Sequence, residues 1–340
     1  MKKLKFAVIG LGNIGSRHVA VLDAEENAEI VGVCDINKEK CENIINLYGN
    51  IPCFEDYKVL LKKVKADIVT VATPHSYHSQ MVIDIIKSRK NALVEKPMAL
   101  SVNDCDRMIE TANKFKKKIF VVKQNRFNKP VMLAKKALDE HRLGKIYMVQ
   151  CNVMWNRNKE YYLDSEWRGK KEFEGGALHT QVSHFLDLMI WWFGDVVEAR
   201  TFIDTLNHDI EIEDTGVSSL KFKSGVLGSL LWTTNVYNQN YEGSITILGE
   251  KGTIKIGGKY LNTIEFWDVK SYPLPDNIEF KDKPNNYGKY FGTSSNHDKL
   301  IHEIIKNFTH GMKGVVEGDE GKKTIEAIEM IYKNTSLSLN

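Results

Sequence analysis

Leu4-Lys-Phe-Ala-Val-Ile9, then Gly10-Leu-Gly-Asn-Ile-Gly15, then Ser16 to Leu22 reads as strand, glycine turn and helix in that order. The first glycine allows a tight turn, the second lets the backbone approach a pyrophosphate, and the third lets helix pack on strand. The amino terminus of the helix then faces the phosphates. Gly-x-Gly-x-x-Gly alone is a weak signal. Here a second apolar strand, Glu29-Ile-Val-Gly-Val-Cys34, ends at Asp35, 20 residues after Gly15, where an acid that accepts from a ribose diol belongs. Gly10, Gly12, Asn13, Ile14, Gly15 and Asp35 are therefore expected to hold a dinucleotide. A carboxylate at Asp35 repels a 2'-phosphate, and Ile36 and Asn37 bring no arginine, so NAD is favoured over NADP; Lys38 and Lys40 are the opposing consideration.

Outward from this unit, strands and helices alternate. Ala66 to Ala72 is a buried strand running into Thr73-Pro-His-Ser-Tyr-His78, with a helix at Gln80 to Lys87. The break at Thr73-Pro74 is another strand end on the ligand edge. Thr73, His75 and His78 are expected to line the cofactor rather than bind a metal, because neither histidine has a carboxylate or cysteine pattern beside it. Ala92-Leu-Val-Glu-Lys-Pro-Met98 puts Glu95 and Lys96 at a third strand end, stopped by Pro97. Position makes Lys96 a candidate for chemistry, since open parallel sheets bind ligands at their carboxyl edge. A helix from about Asn103 to Lys117 and a strand at Ile119 to Val122 complete the alternation. The following Lys123-Gln-Asn-Arg126 offers Gln124 to the cofactor. The expected fold class is α/β for residues 1–125, a Rossmann doubly wound parallel sheet.

After a helix near Pro130 to His141 the pattern changes. Runs rich in β-branched and aromatic residues dominate: Ile146–Trp155, Val197–Ile203, Thr215–Phe222, Val226–Thr234, Ser244–Leu248, Thr253–Ile256 and Ile264–Val269. Residues 126–340 should thus be an α+β domain with an open, mainly antiparallel sheet for substrate binding and oligomerisation. A helix of about Val182 to Phe193 covers one face, and the other face is expected to meet another subunit. Two late helices, near Asn296–Thr309 and Gly318–Asn334, are expected to return toward the domain junction, and Ser271 to Gly292 reads as loop.

The 340 residues fit two domains, and 42% hydrophobic with 27% charged residues is globular composition. A net charge of +3, from 47 basic and 44 acidic residues, makes no case for nucleic acid. No apolar run approaches membrane-spanning length and no signal peptide is read at the amino terminus, so the expected location is the cytoplasm. Five cysteines, at 34, 41, 53, 105 and 151, show neither paired nor metal-type spacing, which suits a reducing compartment and argues against structural zinc.

Gly175-Gly-Ala-Leu-His-Thr-Gln-Val-Ser-His184 leads into the covering helix, whose apolar stripe is Val182, Phe185, Leu186, Met189, Ile190 and Phe193. His184 falls almost opposite that stripe, so it is either an exposed helical histidine or a site residue. The double glycine, which permits another group to approach the backbone closely, points to a site.

Together Gly10-x-Gly-x-x-Gly15, Asp35, Glu95-Lys-Pro97 and Gly175-Gly176 followed by His184 resemble the Gfo/Idh/MocA family, over nearly the whole chain. The resemblance implies a nicotinamide-dependent sugar or polyol dehydrogenase, with Lys96 and His184 at the reacting carbon and a homodimer or homotetramer built on the antiparallel sheet. Thr180 stands where inositol-dehydrogenase-like members commonly have aspartate, which argues against a polyol held by an Asp-His pair. Glu160-Tyr-Tyr162, Trp167-Arg-Gly169, Thr180-Gln-Val-Ser-His184, Gly243 to Gly249, Gly252 to Gly258 and Asn286-Tyr-Gly288 look like the branch oxidising UDP-N-acetyl-2-amino-2-deoxyglucuronate at C3 for surface polysaccharide. That likeness implies Trp167 and Arg168 at the cofactor. A carboxylate and a diphosphate call for guanidinium donors, and Arg157 and Arg168 lie close in sequence to Tyr161-Tyr162, so Arg157 is expected at the substrate, the alternative being that it caps a surface strand. Tyr162, Thr180 and Gln181, with Lys96 and His184, complete the expected substrate set.

In the chemistry implied, His184, mostly neutral near pH 7, takes the hydroxyl proton. Lys96 orients the reacting oxygen. Glu95 joins the cofactor residues. The alternatives are a UDP-N-acetylglucosamine 3-dehydrogenase, an inositol or sugar dehydrogenase, an NAD-dependent glycosidase, and a sensor that binds NAD without turnover. Reoxidation of the cofactor in place by 2-oxoglutarate is a further expectation of the leading reading.

Overall fold

A computed structural model describes residues 3–276, 284–286, 291–312 and 314–335. The chain forms two compact units, one of residues 1–123 with 297–325 and one of residues 124–296 with 326–340.

The first unit begins with β1 (Leu4–Ile9), α1 (Asn13–Ala24), β2 (Ala28–Cys34), α2 (Lys38–Tyr48), β3 (Cys53–Phe54) and α3 (Tyr57–Lys63). It continues with β4 (Ile68–Val71), α4 (His78–Lys87), β5 (Asn91–Val94), α5 (Val102–Phe115) and β6 (Ile119–Val121). The strands pair in parallel in the order β3-β2-β1-β4-β5-β6. Every residue of β4, β5 and β6 is buried, as expected of strands covered on both faces by crossover helices. The order reverses between β1 and β4, whose carboxyl ends carry Gly10 and Thr73; such a switch point is where open sheets bind ligands. The stretch 38–63, for which the sequence carries no expectation, starts a helix because the Asn37 side chain accepts from the Glu39 and Lys40 amides.

One expectation is corrected in this unit. Cys41 of α2 and Cys53 of β3, which no spacing rule pairs, form a disulfide, with Cα atoms 5.9 Å apart. The fold supplies the proximity, since β3 lies beside β2 and brings its first residue under the helix that follows β2. Cys34, Cys105 and Cys151 are buried thiols.

The second unit contains α6 (Lys129–Asp139), β7 (Ile146–Met154), α7 (Lys159–Leu163), α8 (Lys171–Glu174), α9 (Ser183–Phe193) and β8 (Val196–Asp204). After these come β9 (Thr215–Phe222), β10 (Leu227–Thr233), β11 (Glu242–Gly249), β12 (Gly252–Gly257) and β13 (Thr263–Val269). Among the described residues these strands make one seven-stranded sheet in the order β13-β12-β11-β7-β10-β9-β8. Five of the pairings are antiparallel; β7 with β10 is parallel. That exception has a topological cause. β7 enters the sheet first and lies between two later strands, and the chain reaches β10 only by crossing over through α9, β8 and β9.

Burial alternates along β9, with Gly216, Ser218, Leu220 and Phe222 inside. α9 covers this inner face: Phe185 meets Trp155 with ring centres 5.6 Å apart, and Phe193 meets Phe222 at 5.8 Å. Part of the predicted loop 271–292 is a small ladder of β14 (Pro284–Asn286) and β15 (Phe291–Ser294). Residues 277–283 and 287–290, including Tyr287 and Gly288, lie outside the described residues. α10 (His297–His310) belongs to the first unit, and α11 (Gly318–Lys333) runs from the first unit into the second. No described helix is long and apolar enough to cross a membrane.

Candidate active-site residues

In the first unit the three glycines of the turn have different surroundings. Gly10 has φ +89°, and a Cβ there would meet the Ala72 carbonyl oxygen at 2.5 Å; at Gly15 it would run into the Gly10 carbonyl. At Gly12 nothing lies within 4 Å of that position, which leaves the backbone open to a bulky anion. Gly12 caps α1 without a side-chain hydrogen bond, so the first amides of the helix, at Asn13 and Ile14, face that opening. Asp35, buried at the end of β2, accepts from the Leu11 amide at 2.7 Å through Oδ2 and from the Asn37 amide at 2.9 Å through Oδ1. Each carboxylate oxygen has two lone pairs, so capacity remains for ribose hydroxyls. Lys40 Nζ lies 3.7 Å from Oδ2, so this lysine is engaged by the acid rather than offered to a 2'-phosphate. The residues present thus fit NAD.

Thr73, His75 and His78 follow β4, and both histidines are buried. His78 commits its ring to the protein. Nδ1 lies 2.8 Å from the Pro97 carbonyl oxygen and Nε2 2.9 Å from that of Thr73; burial pushes the ring toward its neutral form, whose single N–H donates to one of these oxygens at a time. His78 therefore ties the end of β4 to the Glu95-Lys96-Pro97 turn. Glu95 also faces inward: Oε1 accepts from His18 Nε2 at 2.8 Å and lies 3.4 Å from His297 Nε2, and Oε2 accepts from the Lys96 amide at 3.2 Å. Burial by itself would raise its pKa. The bond from His18 and the nearness of His297 outweigh burial and hold the carboxyl well below its usual range.

In the second unit, Gln124 is buried in a short 3-10 turn, Gln124–Phe127. Arg157 does not cap a surface strand; it is fully buried. Its guanidinium donates to Gln181 Oε1 at 2.8 Å, to Asn240 Oδ1 at 3.2 Å and to the Asn156 carbonyl at 2.7 Å. Gln181 in turn donates to the Tyr161 hydroxyl at 3.0 Å. Arg168 lies 4.1 Å above the Tyr161 ring and 5.7 Å from Trp167, while Arg157 lies 5.2 Å from Tyr161, so one aromatic ring organises two guanidinium groups. Tyr162 bonds Thr234 through its hydroxyl at 3.3 Å.

His184 is the second residue of α9 and is buried, because that helix is covered almost all round; the exposed-histidine alternative does not hold. A π-helical turn, Leu178–Val182, precedes α9 and contains Thr180 and Gln181. π turns recur at functional sites because they re-aim side chains within a helix. The group that approaches the double glycine is part of the protein: a Cβ on Gly176 would strike the Tyr332 hydroxyl and lie 2.8 Å from Glu213 Oε2. Glu213 Oε1 accepts from the Leu178 amide at 3.0 Å and from Tyr332 at 2.7 Å, and burial pushes its carboxyl up to about 7. Sequence reasoning missed His18, His297, Asn240, Glu213 and Tyr332, each paired with residues from 20 to more than 200 positions away. The acid and histidine letters alone gave no sign of those pairings.

Residues 4–123 match the family described as an oxidoreductase family with an NAD-binding Rossmann fold, and residues 131–255 match the GFO/IDH/MocA C-terminal domain. The chain is similar to the WlbA dehydrogenase of Bordetella pertussis, solved with NADH and UDP-GlcNAcA: 35% identity, 98% of this chain, 96% of that one, TM-score 0.89. It resembles the corresponding Chromobacterium violaceum WlbA complex at 38% identity over 98% of this chain and 94% of that one, with TM-score 0.89. Myo-inositol 2-dehydrogenase of Thermotoga maritima is 26% identical over 95% of this chain and 93% of its own length.

Proposed function

This chain belongs to the Gfo/Idh/MocA oxidoreductase family, and from that premise we propose that it is an NAD-dependent dehydrogenase that oxidises the C3 hydroxyl of a UDP-linked N-acetylated hexuronate. The observation that carries the substrate is the nearly full-length likeness to two dehydrogenases that hold NADH and UDP-GlcNAcA. Arg157 and Arg168, gathered on Tyr161, support it, since a hexuronate and a diphosphate both call for guanidinium donors.

In this reading His184 accepts the proton of the C3 hydroxyl as the C–H bond breaks, and the Lys96 ammonium donates a hydrogen bond to the same oxygen and holds it in line. NAD, when bound, supplies the hydride acceptor. The Arg157–Gln181–Tyr161 network fixes the carboxylate end of the sugar. Asp35 and the glycine turn hold the dinucleotide. Thr73, His75, Gln124, Trp167 and Arg168 complete the cofactor's surroundings in this proposal, and Thr180 and Tyr162 those of the substrate. Glu95 and His78 act behind them, through the contacts described above. The protein works in the cytoplasm on a precursor of surface polysaccharide, as a homodimer or homotetramer, with 2-oxoglutarate reoxidising the cofactor in place.

The test compares UDP-N-acetylglucuronate, UDP-N-acetylglucosamine and free inositols by NADH formation, with and without 2-oxoglutarate. Preference for the uncharged sugar nucleotide moves the assignment to a UDP-N-acetylglucosamine 3-dehydrogenase, and activity on inositol alone defeats the nucleotide-sugar reading.

A further inference from the structure

The least expected cluster in the first unit is His18, Glu95 and His297, which come from α1, the end of β5 and the first turn of α10. All three are buried. The two imidazoles approach the same carboxylate oxygen, at 2.8 and 3.4 Å, with their rings edge-to-face and centres 5.2 Å apart. The other oxygen accepts the amide of Lys96 at 3.2 Å. Nδ1 of each ring has no hydrogen-bond partner. Nε2 of His18 bonds Glu95, whereas Nε2 of His297, 3.4 Å from the same oxygen, completes no hydrogen bond.

Two histidines and a glutamate also make a set that binds divalent ions. Two features count against an ion here. Metal-ligating histidines ordinarily donate their second nitrogen to a carbonyl or carboxylate, and these do not. The positive charge of Arg17 also acts on His297. What the geometry provides instead is a buried carboxylate, bonded by His18, approached by His297 and joined to the backbone of the next residue.

We infer that His18 and His297 are positioning residues: they hold Glu95 as a carboxylate, and Glu95 fixes the Lys96 backbone and favours the ammonium form of its side chain. A buried negative charge one residue away is attenuated far less than it would be in water. Lys96 then serves as a hydrogen-bond donor to the reacting oxygen and not as a base. The charged and titratable groups of this cluster are His18 on α1 and His297 on α10, which act on Glu95; His78 on α4, on which Glu95 and Lys96 act; and Arg17 on α1, which acts on His297. The triad makes α10, a segment that enters the first unit after a detour of some 170 residues through the second, a contributor to Lys96. This inference rests on Lys96 acting in the proposed reaction.

The experiment measures the pH profile of kcat for the full-length protein and its variants. Lys96→Ala is assayed first; normal turnover there overturns the proposed function rather than the triad alone. With Lys96 shown to be needed, Glu95→Gln is expected to shift the alkaline limb of kcat toward lower pH by about one unit or more, because removing the charge weakens the hold on the lysine proton. His297→Ala is expected to lower kcat roughly tenfold, because the polar ring 3.4 Å from the Glu95 carboxylate is replaced by an apolar group that does nothing for the buried charge. His297→Gln, which keeps a donor, should recover part of that loss. A merely structural role would lower thermal stability and active fraction but leave the limb in place. Coincident alkaline limbs for wild type and Glu95→Gln overturn the inference, as do equal kcat values for His297→Ala and His297→Gln. If Glu95→Gln fails to fold by circular dichroism, the two His297 variants decide. One equivalent of tightly held zinc or iron in the wild-type protein overturns it as well, because the three side chains would then be serving an ion.

Discussion

At Asp35 a single buried carboxylate stands at the end of β2. Its oxygens already clasp the Leu11 and Asn37 amides, and Lys40, the nearest cation, is drawn to it. NAD should therefore bind at least about tenfold more tightly than NADP, since like charge at the 2' position meets an acid that cannot turn away. Calorimetry checks this, and equal affinities count against it. Lys96 and His184 carry the second expectation at this scale. Lys96→Ala or His184→Asn should lower turnover by roughly 10²–10⁴-fold with little change in NAD affinity, the range for a positioned proton-transfer group. Steady-state kinetics beside NAD titration separates the two quantities, and near-normal turnover in both variants would remove these residues from the chemistry.

The element that merits most weight is the π turn Leu178–Val182 and the start of α9. It is clamped from behind by Glu213 and Tyr332 against Gly176, whose φ of +149° suits glycine. Gly176→Ala adds both backbone strain and a collision, and should cost at least about 1–3 kcal/mol of stability. Glu213 gives the clamp a pH dependence with a definite sign. Its folded pKa of about 7 lies above the unfolded value near 4.5, so the folded state favours the protonated acid. The stabilisation is whole below about pH 4.5 and is lost as pH rises through about 7, a change of roughly 3 kcal/mol at most. Melting wild type and Glu213→Gln at pH 5 and pH 8 should show the variant gaining relative to wild type at the higher pH. A constant difference between the two would mean that Glu213 is ionised in the fold.

For the whole molecule, the sheet of the second unit has a covered face and a face with exposed apolar side chains. Phe202, Val217 and Leu227 are 68%, 48% and 56% exposed, and Phe202 sits directly opposite Val217 on the neighbouring strand. α9 packs on the other face. We expect the exposed face to join copies of the chain, so Phe202→Lys with Val217→Lys should convert a dimer or tetramer to monomer. Sedimentation velocity measures this, and a monomeric wild type would refute it.

The sequence by itself determined the Rossmann half, the sheet-rich half and most element positions. Periodicity, glycine turns and proline stops act over a few residues, and the chain records them locally. It also put Lys96 at a strand end and His184 in the covering helix. The tertiary structure decided what stands behind those residues. Glu95, read as cofactor lining, faces His18 and His297; the double glycine makes room for Tyr332 and Glu213; Arg157 is buried among amides; and Cys41 is bonded to Cys53. The parallel pairing of β7 with β10 belongs to the same class. Each depends on side chains or strands brought together from distant points of the chain. Nothing in a one-dimensional pattern encodes which buried polar group will satisfy which, because burial makes partners obligatory but leaves packing to choose them.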